Sequence, residues 1–145
     1  MSQTHYALGD PIGPLEYTIS DKAVIDFISI NESPEKMVRF SSSAQAISKK
    51  FPACIVPGNM HLILLTEFLT KSIENISIEK IDMIFRHVVK QNIQLIIKGF
   101  IINIFYADNI KHYECDITMK NSEGIVLIIA NAKFIFKNNL TIPIC

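Results

Sequence analysis

The sequence is first notable for what it has little of. Among its 145 residues there is no tryptophan, there are five glycines and three cysteines, and 14 Lys and Arg balance 14 Asp and Glu. A zero net charge gives no electrostatic reason to expect a nucleic-acid or membrane-surface partner. The chain also lacks the clusters of basic residues interleaved with aromatics that typify nucleic-acid binding. We therefore expect neither nucleic acid nor membrane as a partner.

The three cysteines, Cys54, Cys115 and Cys145, are widely spaced and form no C-x-x-C pattern. This spacing and the odd count argue against a disulfide framework and a zinc site, so we expect reduced thiols, no metal and no cofactor. Polar residues interrupt the apolar runs before they reach membrane-spanning length. Residues 1–6 lack the basic start and apolar core of a signal peptide. These features predict a cytoplasmic protein.

Hydrophobic residues make up 49% of the chain, and its length favours one domain with a sizeable core. The most informative stretch begins at the pair Pro57-Gly58, after which seven of the ten residues from Met60 to Leu69 are apolar. This pattern predicts a helix of about four turns with no face left for water. Its tip would present the free N–H groups of Gly58 and Asn59, which suit an anionic or polarised oxygen. That combination favours acyl-thioester chemistry.

The segment before this helix is predicted from its turn residues and apolar spacing. Prolines and glycines predict an irregular lead-in over residues 9–16, followed by a short strand over residues 17–19. Ser20 is a candidate cap for a helix over residues 22–30, which residues 31–34 then break. We thus expect a small helix ahead of the buried one.

The second half of the chain has the composition of strands. Strands are predicted over residues 81–88, 93–106, 112–120 and 125–136, with a bend at Gly99. The end of the buried helix is expected to fray over residues 72–77. Several long strands after one buried helix predict an α+β fold in which an antiparallel sheet packs on that helix.

This layout resembles the hotdog fold and, within it, the MaoC-like dehydratase/hydratase group. The similar segments are Gly9-Asp10 with residues 17–27, Ile55-Val56-Pro57-Gly58, residues 85–95 and residues 121–132. Together they cover nearly the whole chain in the group's order and spacing. The resemblance implies one hotdog domain over residues 1–145, with a long antiparallel sheet wrapped around the central helix. It also implies a homodimer or a hotdog heterodimer, with acyl-thioester sites at or near the protomer interface.

Active members of that group carry a loop Asp-x-Asn-Pro-x-His before the central helix. Its His and Asp act as acid and base in adding or removing water across a 2-enoyl thioester. This sequence departs from the loop: one register puts Glu35 and Phe40 at the Asp and His positions. A register anchored on Pro34 puts Asn31 and Lys36 there instead. Asn31 is kept as a candidate substrate contact, beside Pro57, Gly58 and Asn59.

Three residues are candidates for the missing base. His61 lies in the first turn of the central helix, where the helix N-terminus disfavours imidazolium, so a neutral ring could accept a proton. The alternative for His61 is a core or interface histidine hydrogen-bonded to backbone. Glu35 is either a loop carboxylate base or a solvated surface charge. Glu67 is either an acidic catalytic residue, as in many hotdog thioesterases, or a carboxylate paired with a Lys or Arg such as Arg86.

His87 is expected to be structural, on the same face of a strand as Phe85. Three functions remain open from the sequence. The first is a dehydratase or hydratase of a 3-hydroxyacyl or 2-enoyl chain carried by acyl carrier protein or coenzyme A, with the acyl chain running along the central helix under the sheet. The second is a non-catalytic hotdog subunit that binds an acyl thioester or completes a heterodimer. The third is a thioesterase that relies on Glu67, with water as nucleophile.

Overall fold

A computed structural model of the chain describes residues 6–31 and 56–139. The described strands form one five-stranded antiparallel sheet in the order β1-β3-β4-β5-β2, so β1 and β2 are its edges. The elements are β1 (Pro11–Thr18), α1 (Asp21–Asn31), α2 (Gly58–Ser72), β2 (Ile76–Phe85), β3 (Gln94–Ala107), β4 (Ile110–Asn121), β5 (Val126–Phe136) and a short 3-10 helix (Lys137–Asn139).

Helix α2 packs on one face of this sheet. Its buried residues follow the spacing of a single helix face: His61, Leu64, Leu65, Phe68 and Leu69. The sheet meets them with alternate strand residues, which in β4 are Tyr113, Cys115, Ile117 and Met119. All but His61 belong to one hydrophobic cluster, so the predicted α+β layout is confirmed.

The prediction that α2 has no face for water is wrong for the single chain. Leu62 is 42% exposed and Ile63 58% exposed, because the sheet covers only one side of the helix. On the side of α2 that faces the sheet, Leu65 and Phe68 are fully buried in the core cluster.

The predicted irregular lead-in is largely a strand, since β1 begins at Pro11. An edge strand tolerates proline, because its outer side has no ladder hydrogen bond to lose. The register shifts between Ile12 and Leu15, where Gly13 and Pro14 stand. Gly13 has φ 75°, and a Cβ there would lie 2.9 Å from Cε1 of Phe68. The edge strand therefore approaches the central helix through a glycine.

Two further boundaries were placed imprecisely from the sequence. The expected fraying over residues 72–77 is a turn at Asn75, whose φ of 63° lets β2 begin at Ile76. The irregularity expected at Gly99 lies instead between Ile101 and Asn103. Gly99 remains in register, and a Cβ there would lie only 3.0 Å from the carbonyl oxygen of Asp116.

The start of α1 follows the prediction. Ser20 Oγ accepts a hydrogen bond of 3.1 Å from the N–H of Ala23, as a capping serine does. In the described part of the chain, no helix is long and apolar enough to cross a membrane.

Candidate functional site

A cavity of about 360 Å³ opens beside the first turn of α2. Its walls come from the start of the helix and from the segment that follows β2: Val56, Gly58, His61, Phe85, Arg86, His87, Val88 and Val89. Backbone hydrogen bonds hold this segment in place. The N–H of Val56 donates to the carbonyl of Val89 at 2.8 Å, and the N–H of Arg86 donates to the carbonyl of Leu127 at 2.8 Å. The cavity is thus built on fixed backbone.

The tip of α2 presents unused donors to this cavity. Pro57 is the N-cap, with φ −62° and ψ 146°, and no side chain caps the helix. The N–H of Met60 bonds to the carbonyl of Pro57 at 3.1 Å. Within the described ranges, the N–H groups of Gly58 and Asn59 have no acceptor, as expected for the first residues of a helix. These two amides can therefore bind an oxygen that carries partial negative charge.

Packing does not by itself demand a glycine at position 58. A Cβ built there would meet only Cζ of Phe85, at the ordinary contact distance of 3.7 Å. Gly58 lines the cavity, and an added Cβ would not displace any neighbour there.

His61 lies at the inner end of the cavity and is only 1% exposed. Both ring nitrogens are buried and have no hydrogen-bond partner among the described residues. A buried polar group without a partner costs about 1–3 kcal/mol, which makes it unusual in a purely structural role. No hydrogen bond of good geometry joins the ring to the backbone, although the backbone of Pro57 and Gly58 lies close enough to affect the pKa of His61.

Burial lowers the pKa of His61 below its ordinary value. The nearby backbone groups of Pro57 and Gly58 act in the opposite direction and offset part of this effect. Because neither of them forms a well-aligned hydrogen bond with the ring, burial decides the balance. His61 is thus neutral near pH 7 and has a free lone pair, as a general base requires.

The predicted position of His87 within a strand is wrong. Strand β2 ends at Phe85, so His87 lies beyond the strand, is exposed and lines the cavity. The error follows from the start of β2: once Asn75 is recognised as the turn, the ten-residue strand ends before His87. A second imidazole, which the strand pattern does not predict, therefore lines this cavity.

Glu67 lies away from the cavity that contains His61. Its carboxylate pairs with Lys71 at 2.7 Å rather than with Arg86. Glu67 is six residues after His61, so it is rotated by about 240° around the helix axis and displaced by about 9 Å along it. It lines a separate groove on the outer side of α2, together with Leu62, Ile63, Thr66 and Thr70. The structure therefore does not bring Glu67 and His61 into one site.

The remaining candidates contribute no described side chain to the cavity. Asn31 is the last residue of α1, and Glu35 lies outside the described residues. Cys115 is buried in β4, and burial raises the pKa of its thiol to about 12. A thiol with this pKa is not a nucleophile at neutral pH. No group of three His, Cys, Asp or Glu within residues 6–31 and 56–139 could hold a metal ion.

An antiparallel sheet packed on a central helix, with a cavity at the helix tip, defines the hotdog fold for this chain. The expected resemblance to MaoC-like dehydratases and hydratases is confirmed in structure. The (R)-hydratase from A. caviae involved in PHA biosynthesis matches with a TM-score of 0.76 and 12% identity, over 92% of this chain and 99% of that chain. No protein-family model and no curated protein matches the sequence.

Two further solved structures show the same architecture. The MaoC-like dehydratase from Rhodospirillum rubrum matches with a TM-score of 0.75 and 15% identity, over 90% of this chain and 93% of that chain. The HadBC (3R-hydroxyacyl-ACP dehydratase) complex from Mycobacterium tuberculosis matches with a TM-score of 0.71 and 13% identity, over 91% of this chain and 98% of that chain. At these identities the similarity establishes the fold, and activity has to be argued from the site.

Proposed function

We propose that this chain is an acyl-thioester dehydratase or hydratase. Its substrate would be a 3-hydroxyacyl or 2-enoyl chain carried by acyl carrier protein or coenzyme A. One observation carries the proposal: a buried, unpartnered histidine and the free amides of a helix tip meet at the same cavity. The hydratases and dehydratases among the structural neighbours support the same class of reaction.

The dehydration step follows from these positions. The thioester carbonyl oxygen accepts hydrogen bonds from the N–H groups of Gly58 and Asn59. Neutral His61 removes the proton on C2, and the electron pair moves onto this oxygen, which the helix tip stabilises. The pair then returns to form the C2–C3 double bond as hydroxide leaves C3. We assign to His87 the donation of the proton that converts this hydroxide into water. Hydration follows the same steps in reverse.

Access to His61 requires one side chain to move. The ring of Phe85 packs edge-on against the ring of His61, with the centroids 5.2 Å apart. Phe85 is 49% exposed, so its ring can turn toward solvent without disturbing the core. Substrate binding would displace it and place C2 against the uncovered imidazole.

A second function is favoured by a specific observation. Both ring nitrogens of His61 are buried away from solvent, and the sequence lacks the Asp–His loop of the MaoC-like group that it resembles. A non-catalytic hotdog subunit that binds an acyl thioester would have both properties. The thioesterase hypothesis has less support, because Glu67 is paired with Lys71 and lies apart from His61.

We also propose that the chain acts as a dimer, either with itself or with another hotdog chain. Among the described strands, β2 is at an edge of the sheet, and Ile84 near its end is 61% exposed. Unpaired strand edges and exposed apolar residues are commonly covered by a partner. Sedimentation of the purified chain, alone and with co-purifying proteins, measures its oligomeric state; a monomer under all conditions would contradict this part.

The activity is tested by incubating the purified protein with crotonyl and 3-hydroxybutyryl thioesters of coenzyme A and of acyl carrier protein. We expect addition or loss of water, measured by the absorbance of the enoyl thioester. Release of free acid would indicate a thioesterase. Saturable binding without turnover would indicate the non-catalytic subunit. His61→Ala should abolish turnover, whereas Glu67→Gln should retain it.

A further inference from the structure

Arg86 is a charged residue of the cavity at the tip of α2 that the proposed dehydration does not use. Its side chain is exposed, whereas His61 is buried at the inner end of the same cavity. Within residues 6–31 and 56–139, no ion pair or side-chain hydrogen bond engages its guanidinium. The positive charge of Arg86 is therefore available to a ligand at the outer end of the cavity.

We propose that Arg86 selects acyl chains that end in a carboxylate. The substrate is then a hydroxydicarboxylic or unsaturated dicarboxylic acid, joined to its carrier through one of its two carboxyl groups. This inference rests on the proposed function, because the thioester of the same molecule is taken to lie at the tip of α2. The acyl chain extends from the amides of Gly58 and Asn59 toward the exposed guanidinium, which binds the terminal carboxylate.

The charges around the cavity favour an anion. Arg86 is a permanent cation, and no Asp or Glu is among the described residues that line the cavity. The tip of α2 adds the partial positive charge of a helix N-terminus. A neighbouring cavity contains Lys90, but Glu123 lines it as well and would repel a carboxylate. The cavity of Arg86 is therefore the better site for a second negative group on the substrate.

Most of the remaining cavity wall is apolar. It consists of valine and phenylalanine side chains at Val56, Phe85, Val88 and Val89. Beside apolar walls, the attraction between a guanidinium and a carboxylate is stronger than it is in bulk water. The planar guanidinium also donates two parallel hydrogen bonds to a carboxylate, which a hydrocarbon end cannot accept. The cavity can thus distinguish the two kinds of acyl chain.

The size of the cavity agrees with a short chain. Its volume of about 360 Å³ is near the lower end of the range of about 300–1,000 Å³ that is typical of small-molecule sites. A short dicarboxylic chain places its second charge within the cavity itself.

The backbone that carries Arg86 is held in place. The N–H groups of Arg86 and His87 both donate to the carbonyl of Leu127, at 2.8 Å and 3.2 Å. Arg86 also directly follows Phe85, which pairs with Ile128 of β5 at the end of β2. Because this backbone is already fixed, binding a carboxylate restricts only the side chain of Arg86, which limits the entropy lost.

The test compares two N-acetylcysteamine thioesters of similar shape. The glutaconyl thioester ends in a carboxylate, and the 5-methyl-2-hexenoyl thioester ends in an isopropyl group at the same place. Neither contains phosphate, so a carrier phosphate cannot account for a difference between them. Hydration is measured from the loss of enoyl-thioester absorbance.

We expect the wild type to have the higher kcat/KM for the glutaconyl thioester. The ratio of the two kcat/KM values should fall about tenfold in Arg86→Gln, which corresponds to about 1.4 kcal/mol. Arg86→Lys should retain part of the preference, because an ammonium keeps the charge and loses the paired donors. Lys98→Gln, on β3 beside Phe100, is the matched charge control and should leave the ratio unchanged.

An unchanged ratio in Arg86→Gln would overturn the proposed specificity, and so would a wild type that prefers the isopropyl thioester. A loss that appears only with coenzyme A thioesters would also overturn it, because Arg86 would then bind a carrier phosphate. Turnover of neither acyl group by the wild type, on N-acetylcysteamine or on coenzyme A, would contradict the proposed function instead.

In that case, calorimetric binding of the saturated glutaryl and 5-methylhexanoyl thioesters tests Arg86 directly. Tighter binding of the glutaryl thioester that Arg86→Gln removes supports the specificity. Equal binding of the two thioesters, or binding of neither, overturns it.

Discussion

The rings of His61 and Phe85 meet edge to face, with 5.2 Å between centroids and 81° between planes. His61 belongs to the first turn of α2 and Phe85 is the last residue of β2, so the contact joins the helix tip to the sheet. It also places the most buried titratable ring of the site directly behind a half-exposed aromatic side chain. Phe85 therefore controls how far water and ligands reach His61.

Phe85→Ala should raise the pKa of His61 toward its ordinary value. Removing the ring admits water to the imidazole and reduces the desolvation that lowers this pKa. The pKa can be measured from the pH dependence of the ring-proton NMR signals. Phe105→Ala is the matched control, since Phe105 stacks on a different histidine, His112, at 5.1 Å. An unchanged His61 pKa in Phe85→Ala would show that Phe85 does not shield the ring.

Stability should fall as the pH drops from about 6.5, the ordinary pKa of histidine, toward the lowered pKa of folded His61. In this window the unfolded chain binds a proton that the buried ring resists, so protons favour unfolding. Above the pKa of this histidine in the unfolded chain, neither state binds the proton, so this loss of stability is absent. Urea unfolding of wild type and His61→Leu across this range measures the difference. An equal decline in both proteins would contradict the assigned protonation of His61.

Gly13→Ala should destabilise the fold more than Gly9→Ala. Both glycines have positive φ, 75° and 86°, so each substitution incurs backbone strain of about 1–3 kcal/mol. At Gly13 the added Cβ would also lie 2.9 Å from Phe68 and 3.2 Å from the carbonyl oxygen of Ile97, whereas nothing lies within 4 Å at Gly9. We expect an additional loss of about 1–3 kcal/mol for Gly13→Ala in urea unfolding. Equal losses would mean that β1 does not press on α2.

The thiol of Cys115 should resist alkylation in the native protein. It is buried, and its pKa of about 12 leaves almost no thiolate at pH 8. The test uses a chain in which Cys54 and Cys145 are replaced by serine, treated with iodoacetamide with and without denaturant. We expect modification only in denaturant. Rapid labelling of the native chain would place Cys115 outside the core.

The sequence was sufficient to predict the order of elements that surround α2. The Pro57-Gly58 pair fixed the start of the helix, and the apolar strand patterns predicted the sheet. Strand limits were less certain because they depend on single residues such as Asn75, which adopts a left-handed conformation that other residues seldom take. That shift of β2 is what moved His87 from a strand to the cavity wall.

The site was only partly predictable for a different reason. The position of His61 near the helix tip follows from helix spacing, since it is three positions after Gly58. Its contact with Phe85, 24 residues further along the chain, depends on how β2 returns to the helix tip. Glu67 shows the converse case. Its i,i+4 pairing with Lys71 is a local pattern readable from the sequence, and it agrees with the alternative of a carboxylate paired with a Lys or Arg, although the partner is not Arg86.

The most direct test of the central claim replaces the Gly58 amide itself. Gly58 is the first residue of α2, a position where proline is well tolerated, and the extended Pro57 is compatible with a following proline. Gly58→Pro therefore removes the N–H donor and preserves the helix. Gly58→Ala is the matched control, because it keeps the donor and adds a Cβ at the same place, 3.7 Å from Cζ of Phe85. We predict that kcat/KM for crotonyl-coenzyme A hydration falls about 100- to 1,000-fold in Gly58→Pro and changes little in Gly58→Ala. Equal activity in the two folded variants would show that the helix tip does not bind the thioester oxygen.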